Sequence, residues 1–133
     1  MLTIIKATDA RASRTEPYAF TNSGWVPSNP NQAPVVDGQV PIAGAGRQTF
    51  FANGTTSGVS GFTAGGQVFH ITFAGTFTPN GDGSFSETII LTSINPPFQA
   101  TDHFFLYPSP DGNTIGFFGT DPGETTNGVF TRH

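Results

Sequence analysis

Apolar and polar side chains alternate along most of the chain, and this pattern predicts β-strands. No long window has apolar residues at the i, i+3, i+4 and i+7 spacing of a helix, and Gly or Pro interrupts nearly every stretch. The segments of period two predict strands near residues 17–25, 46–52, 55–62, 67–78, 84–93, 100–107, 113–119 and 125–132. About eight strands with mostly short connections favour an all-β fold, an antiparallel up-and-down β-barrel with almost no helix.

One connection is much longer than the others. Residues 26–44 read "VPSNPNQAPVVDGQVPIAG", and their prolines favour a rim loop or lid over a strand pair. Residues 1–16 precede the first predicted strand and form an N-terminal extension. At 133 residues the chain can enclose one core, so we expect a single barrel domain over residues 1–133.

The turn "PNGDG" allows a register to be predicted for one hairpin. It joins "ITFAGTFT" to "SFSETIIL", and the aromatic faces of these strands coincide if Phe77 lies opposite Phe85 across an odd-numbered loop. Gly75 is then opposite Glu87. This pairing would leave space above a carboxylate on an otherwise apolar surface.

The stretch "QVFHITFAGTF" places a single histidine, His70, in an apolar strand. His70 shares a face with Thr72 and Thr76, opposite the phenylalanine face. Either this face is the outer surface or an interface, or it lines a polar cavity, because both faces of a barrel strand alternate along the chain. His70 therefore stays a candidate under the second interpretation only.

The stretch "TDHFFLYP" is apolar on both faces. His103, Phe105 and Tyr107 share one face, and the residues between them are also largely apolar. A strand apolar on both faces is covered on both faces. Since no helix is predicted to cover the outside, a second protomer is the simplest cover, and we expect a homo-oligomer, most simply a dimer.

Composition narrows the possible partners and the compartment. Only 11% of the residues are charged, the net charge is −4, and five Lys and Arg residues cannot form a basic stripe, so neither nucleic acid nor an anionic membrane is an expected partner. The absence of cysteine excludes disulfides, thiolate zinc sites and cysteine nucleophiles. The apolar run at the N-terminus is shorter than a signal peptide or a membrane span requires, and a cytoplasmic location is expected.

The sequence lacks the signatures of nucleotide binding and of hydrolases. Its three histidines lie on separate segments, and no spacing resembles a metal-ligand set. We therefore expect no cofactor and no metal. An aromatic-lined cavity with a few titratable groups remains, which is the general description of a small-molecule site.

Four residues are candidates for acid/base chemistry: His103, Glu87, Tyr107 and His70. Apolar neighbours would raise the pKa of a buried carboxyl, and an imidazole can exchange protons near neutral pH. An arginine could hold an anionic group of the ligand. The candidate substrate-binding residues are Arg47, Arg132, Tyr18, Phe73, Phe85, Phe105 and Phe117.

Structural roles compete with each of these assignments. Glu87 could pair with Arg47 or Arg132, and His103 could be a satisfied core or interface histidine. A tyrosine at the end of a strand commonly keeps its hydroxyl in water. The phenylalanines, taken one by one, fit core positions.

Three stretches carry a resemblance to a family. They read "PIAGAGRQTFFANGTTSG", "FAGTFTPNGDGSFSETI" and "HFFLYPSPDGNTIGFFGTDPGETTNGVFTRH". In this order they resemble small, mostly secreted bacterial barrel proteins with the pattern P-I-A-x-x-G, G-T-[YF]-x-x-N-x-D-G, H-F-D-F and T-D-P-G. The resemblance covers about residues 17–133 and implies a calycin-like or allene-oxide-cyclase-like β-barrel.

The chain departs from that pattern at two places. His103 is retained from H-F-D-F, but Phe105 stands where the family has its acid, and the family's secretion signal is missing. With these departures the chain resembles small barrel cyclases and isomerases of secondary metabolism, which have an enclosed apolar cavity. This step is analogy, because a fold does not establish a function.

The leading hypothesis is a cofactor-independent isomerase or cyclase that binds a hydrophobic, aromatic small molecule and moves a proton. Chalcone-isomerase-like ring closure is the concrete example, with His103 as acid/base group, Glu87 and Tyr107 in support, and an arginine as anion holder. The alternative is a lipocalin-like binding protein without catalysis. In a third hypothesis the protein is structural, and phenylalanines fill its interior.

Overall fold

The computed structural model describes residues 16–27 and 38–133 and confirms the predicted all-β barrel. Its strands are β1 (Glu16–Pro27), β2 (Gln39–Phe50), β3 (Thr55–Ala64), β4 (Gln67–Pro79), β5 (Phe85–Ile94), β6 (Pro97–Pro108), β7 (Thr114–Gly119) and β8 (Thr125–Arg132). Each strand pairs antiparallel with the next, and β8 pairs with β1 to close the barrel. In the described part of the chain no helix is long and apolar enough to cross a membrane.

The boundaries of the predicted rim loop are wrong at both ends. β1 continues to Pro27, and β2 already begins at Gln39, directly opposite it. Pro41 and the nearby glycines weaken the strand signal, but pairing with both neighbouring strands overrides this local preference. Residues 28–37 of the predicted loop, and the extension before Glu16, lie outside the described residues.

The predicted register of the β4–β5 hairpin is also wrong. Phe77 lies opposite Glu87, not opposite Phe85, and Gly75 lies opposite Ile89. The reason is a longer connection of residues 80–84, which the Asp82 carboxylate closes by accepting hydrogen bonds from the Ser84 amide (2.9 Å) and hydroxyl (2.6 Å). A shift of two residues keeps every side chain on its face, so the phenylalanine face still points inward.

On the inner face of the barrel, several phenylalanines lie beside a glycine of the neighbouring strand. The cross-strand pairs are Phe20 with Gly46, Phe73 with Gly58 and Phe117 with Gly128. A Cβ atom on Gly58 would lie 2.5 Å from the Phe73 ring, and Gly128 is equally close to Phe117. The rings thus occupy the space that these three glycines leave free.

The two ends of the barrel interior differ. At one end, here called the closed end, a continuous core contains Tyr18, Phe50, Phe77, Phe85, Leu106, Ile115, Phe117 and Phe130. At the other end, here called the mouth, a smaller cluster contains Val40, Ala64 and Phe69, with partly buried Val26, Phe62 and Phe98 beside it. The candidate site lies between these clusters.

Candidate functional site

A small cavity of about 90 Å³ lies in the barrel interior. Its walls are mainly apolar and include the rings of Phe20, Phe62, Phe73, Phe104, Phe117 and Phe130. Ile42, Phe62, Leu91 and Asp102 line both this cavity and a pocket of about 560 Å³ at the mouth. The inner cavity holds the volume of roughly three water molecules, so a larger ligand would place only one end there and its body at the mouth.

Glu87 is one of two carboxyl groups that line this cavity. It is 3% exposed, and its Oε2 accepts a hydrogen bond from Gln48 Nε2, which reaches across the barrel from β2. The same amide group donates to the Thr56 hydroxyl at 2.8 Å, and Thr56 donates to the Thr49 carbonyl at 2.8 Å. Burial raises the pKa of Glu87 to about 7, although the hydrogen bond from Gln48 acts in the opposite direction.

Asp102 is the second carboxyl group of the cavity. It lies opposite Ile89, while Glu87 lies opposite Phe104, so the two acids are diagonal neighbours on β5 and β6. Burial raises the pKa of Asp102 to about 6, repulsion from Asp121 adds to the rise, and His103 opposes it.

Two further carboxylates extend the acidic wall towards the mouth. One ligand oxygen each of Asp102, Asp121 and Glu124 lies within 4.8 Å of the others. Burial raises the pKa of Glu124 to about 7, and repulsion from Asp102 and then Asp121 adds to this rise. Among the described residues, these three carboxylates are close enough to share a cation. The expectation that the protein binds no metal therefore stays a prediction.

His103, Phe105 and Tyr107 lie on the outer surface of β6, outside the cavity. The His103 Nδ1 atom lies 2.7 Å from Asp121 Oδ1, and the His103 amide donates to Asp121 Oδ2 at 3.0 Å. The alternation along β6 turns Asp102 inward and therefore turns His103 outward. The leading hypothesis requires His103 and Tyr107 to lie beside Glu87 in one site. In the structure they lie outside the cavity that Glu87 lines.

His70 and Arg47 also point outward. His70 lies on a shallow groove of about 660 Å³ on the outer wall, beside Val59, Thr72 and Ile94. Arg47 belongs to β2, where its neighbour Gln48 takes the inward position. The threonine face of the sequence prediction is thus the outside of the barrel.

Arg132, Tyr18 and Phe85 lie at the closed end and do not line the cavity. Arg132 forms an ion pair with Glu16 at 3.5 Å and donates hydrogen bonds to the Tyr18 hydroxyl at 3.2 Å and the Gly112 carbonyl at 3.0 Å. The alternative pairing of Glu87 with an arginine is wrong, since Gln48 holds Glu87. Among the described residues, no arginine lines the cavity to hold an anion.

Of the predicted site residues, the cavity brings together Glu87, Phe73 and Phe117. It adds Asp102 and Gln48, which the sequence analysis did not select. A signal for Asp102 was present, because it shares a strand face with Phe104 and Leu106, just as Glu87 shares a face with Phe85 and Ile89. No sequence signal indicated Gln48, since its partner Glu87 lies across the barrel, three strands away.

Comparison of the chain with models of known protein families, with curated protein sequences and with solved structures finds no significant match. An eight-stranded closed barrel is shared by many families and identifies none of them. The resemblance to small bacterial barrel proteins therefore stays a prediction beyond the fold class.

Proposed function

We propose that the protein is a cofactor-independent isomerase or cyclase in which Glu87 and Asp102 move a proton on a hydrophobic small molecule. One observation carries this proposal: two inward-facing carboxyl groups on neighbouring strands line one apolar cavity, with pKa values of about 7 and 6. A general acid and a general base are most effective when their pKa values lie near the working pH. This replaces His103 and Tyr107 as the acid/base groups of the hypothesis.

The division of labour follows from the surroundings of each acid. Glu87 lies deeper and has the higher pKa, so it keeps its proton to a higher pH than Asp102 does and acts as general acid. Asp102 lies nearer the mouth, has the lower pKa and acts as general base. Gln48 fixes the Glu87 carboxyl by its hydrogen bond and is a positioning residue.

A turnover assay with chalcones and related phenolic polyketides tests this proposal, with incorporation of solvent deuterium as a second readout of proton transfer. We expect Glu87→Gln and Asp102→Asn each to reduce the rate about 10²- to 10⁴-fold, the usual contribution of a positioned acid or base. His103→Ala is the matched control and retains turnover, since His103 lies outside the cavity. Equal loss in His103→Ala would contradict the assignment.

The alternative function is a lipocalin-like binding protein. The apolar mouth favours it, since Val26, Phe69, Pro97 and Phe98 offer a ligand contact area without any chemistry. Binding and catalysis need the same space, so the two functions separate only by turnover. Ligand binding by the wild type without conversion, and without deuterium incorporation, would support the carrier.

We further propose that the protein is a homodimer and that it works in the cytoplasm, as the sequence analysis expects. Support for the dimer comes from an aromatic patch on the outer wall, where the Phe118 ring contacts Phe105 (centroids 5.6 Å apart) and stacks on Tyr107 (5.9 Å). All three side chains are exposed. Light scattering should give twice the monomer mass for the wild type and the monomer mass for Phe118→Ser; a wild-type monomer would contradict the dimer.

A further inference from the structure

Several hydrogen-bond acceptors in the cavity wall have no donor among the described residues. Glu87 Oε2 has its partner in Gln48, but no described residue donates to Oε1, and none donates to the Asp102 carboxylate. The Asn22 Oδ1 atom, also in the cavity wall, is buried without a partner in the part of the chain that the structure describes. Buried acceptors are costly when unpaired, so this cavity is built for a molecule that donates.

The ionisable residues around the cavity also favour a ligand that donates hydrogen bonds. Among the described residues that line the inner cavity and the mouth pocket, the charged ones are Glu87, Asp102 and Glu124, and none is Lys, Arg or His. The cations of the strands lie elsewhere, with Arg132 paired to Glu16 at the closed end and Arg47 outside. An anionic ligand would meet only acidic side chains in a desolvated site, whereas a bound cation would favour the ionised form of each acid.

Aromatic faces complete the site. Phe20, Phe62 and Phe104 surround the space next to the two acids. The faces of such rings attract a positive charge, and the attraction grows when the charge is desolvated. A carboxylate gains nothing from these rings, whereas an ammonium group gains from both the rings and the acids.

From these three observations we propose that the cavity binds a small apolar amine in its protonated form, with the ammonium group between Glu87 and Asp102 and the apolar body in the mouth pocket. This inference deepens the proposed function and rests on it, because it names the substrate class for the same cavity. The small inner volume of about 90 Å³ fits an ammonium group and its first carbons, and the pocket of about 560 Å³ accommodates the body. Carboxylic acids of the same shape are excluded.

The test measures binding of phenethylamine, phenethyl alcohol and phenylacetate by titration calorimetry at neutral pH and moderate salt. These probes share the ring and differ in charge and in donor capacity. We expect the amine to bind at least tenfold more tightly than the alcohol, as a charge-assisted hydrogen bond predicts, and phenylacetate to bind more weakly than both. Equal affinity for all three probes would overturn the inference and leave the proposed small-molecule function standing.

Variants locate the effect. Glu87→Gln and Asp102→Asn should each reduce the preference for amine over alcohol severalfold. Asp82→Asn, which removes an acid from the turn at the opposite end of the barrel, is the matched control and keeps the full preference. A preference that survives in both cavity variants would reflect the net charge of the protein and would overturn the inference. Failure of all three probes to bind would overturn the inference and the proposed cavity function together.

Discussion

The two ends of the barrel use the same residue types for different purposes. At the closed end, Phe50 is fully buried and its ring contacts Tyr18, Phe77 and Phe130. At the mouth, Phe98 is half-buried and one described ring, Phe69, contacts it. A filled end stabilises the barrel, and this allows the other end to keep space for a ligand.

The two regions also differ in the partner that each gives to a buried glutamate. Glu16 at the closed end is 5% exposed and has Arg132 as its ion-pair partner, whereas Glu87 in the cavity is 3% exposed and has only an amide. The first acid has a compensating charge, and the second has none among the residues that the structure describes. Burial with a counter-ion supports the fold, and burial without one produces a group with a pKa near neutrality.

The largest expected effect comes from truncating one ring at each end. Phe50→Ala should lower the free energy of unfolding by about 3–5 kcal/mol, because it opens a void in a fully packed core. Phe98→Ala should lower it by about 1–2 kcal/mol, since part of that ring is already exposed to the mouth. Urea denaturation measures both values. Equal losses would mean that the mouth is as tightly packed as the closed end.

The next effect concerns the two glutamates. Substitution of each by Gln should change the free energy of unfolding at pH 8 in opposite directions. Between pH 4.5 and about 7 the unfolded chain releases the Glu87 proton while the folded protein keeps it, so the free energy of unfolding falls as pH rises. The rise of the pKa from 4.5 to about 7 corresponds to a total fall of about 3 kcal/mol. Glu87→Gln should remove this fall and make the variant more stable than the wild type at pH 8, with little difference at pH 4.

Glu16→Gln is the counterpart of that substitution. It removes the ion pair between Glu16 and Arg132, so the free energy of unfolding at pH 8 should decrease, by about 1–2 kcal/mol. Urea denaturation at both pH values gives the comparison. A stabilising Glu16→Gln, or a destabilising Glu87→Gln at pH 8, would remove the proposed electrostatic difference between the two ends.

An effect of similar size tests how far the packed half extends into the barrel. Gly58→Ala would place a methyl group 2.5 Å from the Phe73 ring and closer still to the Arg47 carbonyl oxygen, and it should lower the free energy of unfolding by about 1–3 kcal/mol. Gly61→Ala, three residues further along β3, is the matched control, because its nearest neighbouring atom is His70 Nδ1 at 3.6 Å. Thermal unfolding should show the Gly61 variant within about 0.5 kcal/mol of the wild type. Similar losses in both variants would disprove the glycine–ring packing.

The smallest effect concerns the outer ion pair beside the mouth. His103→Ala removes the contact with Asp121, but the imidazole is about half exposed, so the free energy of unfolding should change by less than about 1 kcal/mol. Urea denaturation provides the measurement. A loss of several kcal/mol would show that the mouth depends on this pair for its structure.

The fold was largely predictable from the sequence because alternation is a local property. The faces of β4 and β5, the inward position of Glu87 and the number of strands all follow from period two and from turn residues. The register of this hairpin was not predictable, since the Asp82 hydrogen bonds close a longer turn than the Asn-Gly pair suggests. The start of β2 was missed because prolines and glycines there obscure a strand that its two neighbours stabilise.

The sequence by itself determined that alternating segments form a closed all-β barrel and that some acids lie on apolar faces, because each strand carries its own two-faced pattern. Only the tertiary structure decided which face of β6 is inside, and with it the exclusion of His103 and the inclusion of Asp102. It also decided which buried acid receives an arginine and which receives an amide. The physical reason is that closure of the barrel brings strands distant in sequence across one interior, and no local pattern specifies those contacts.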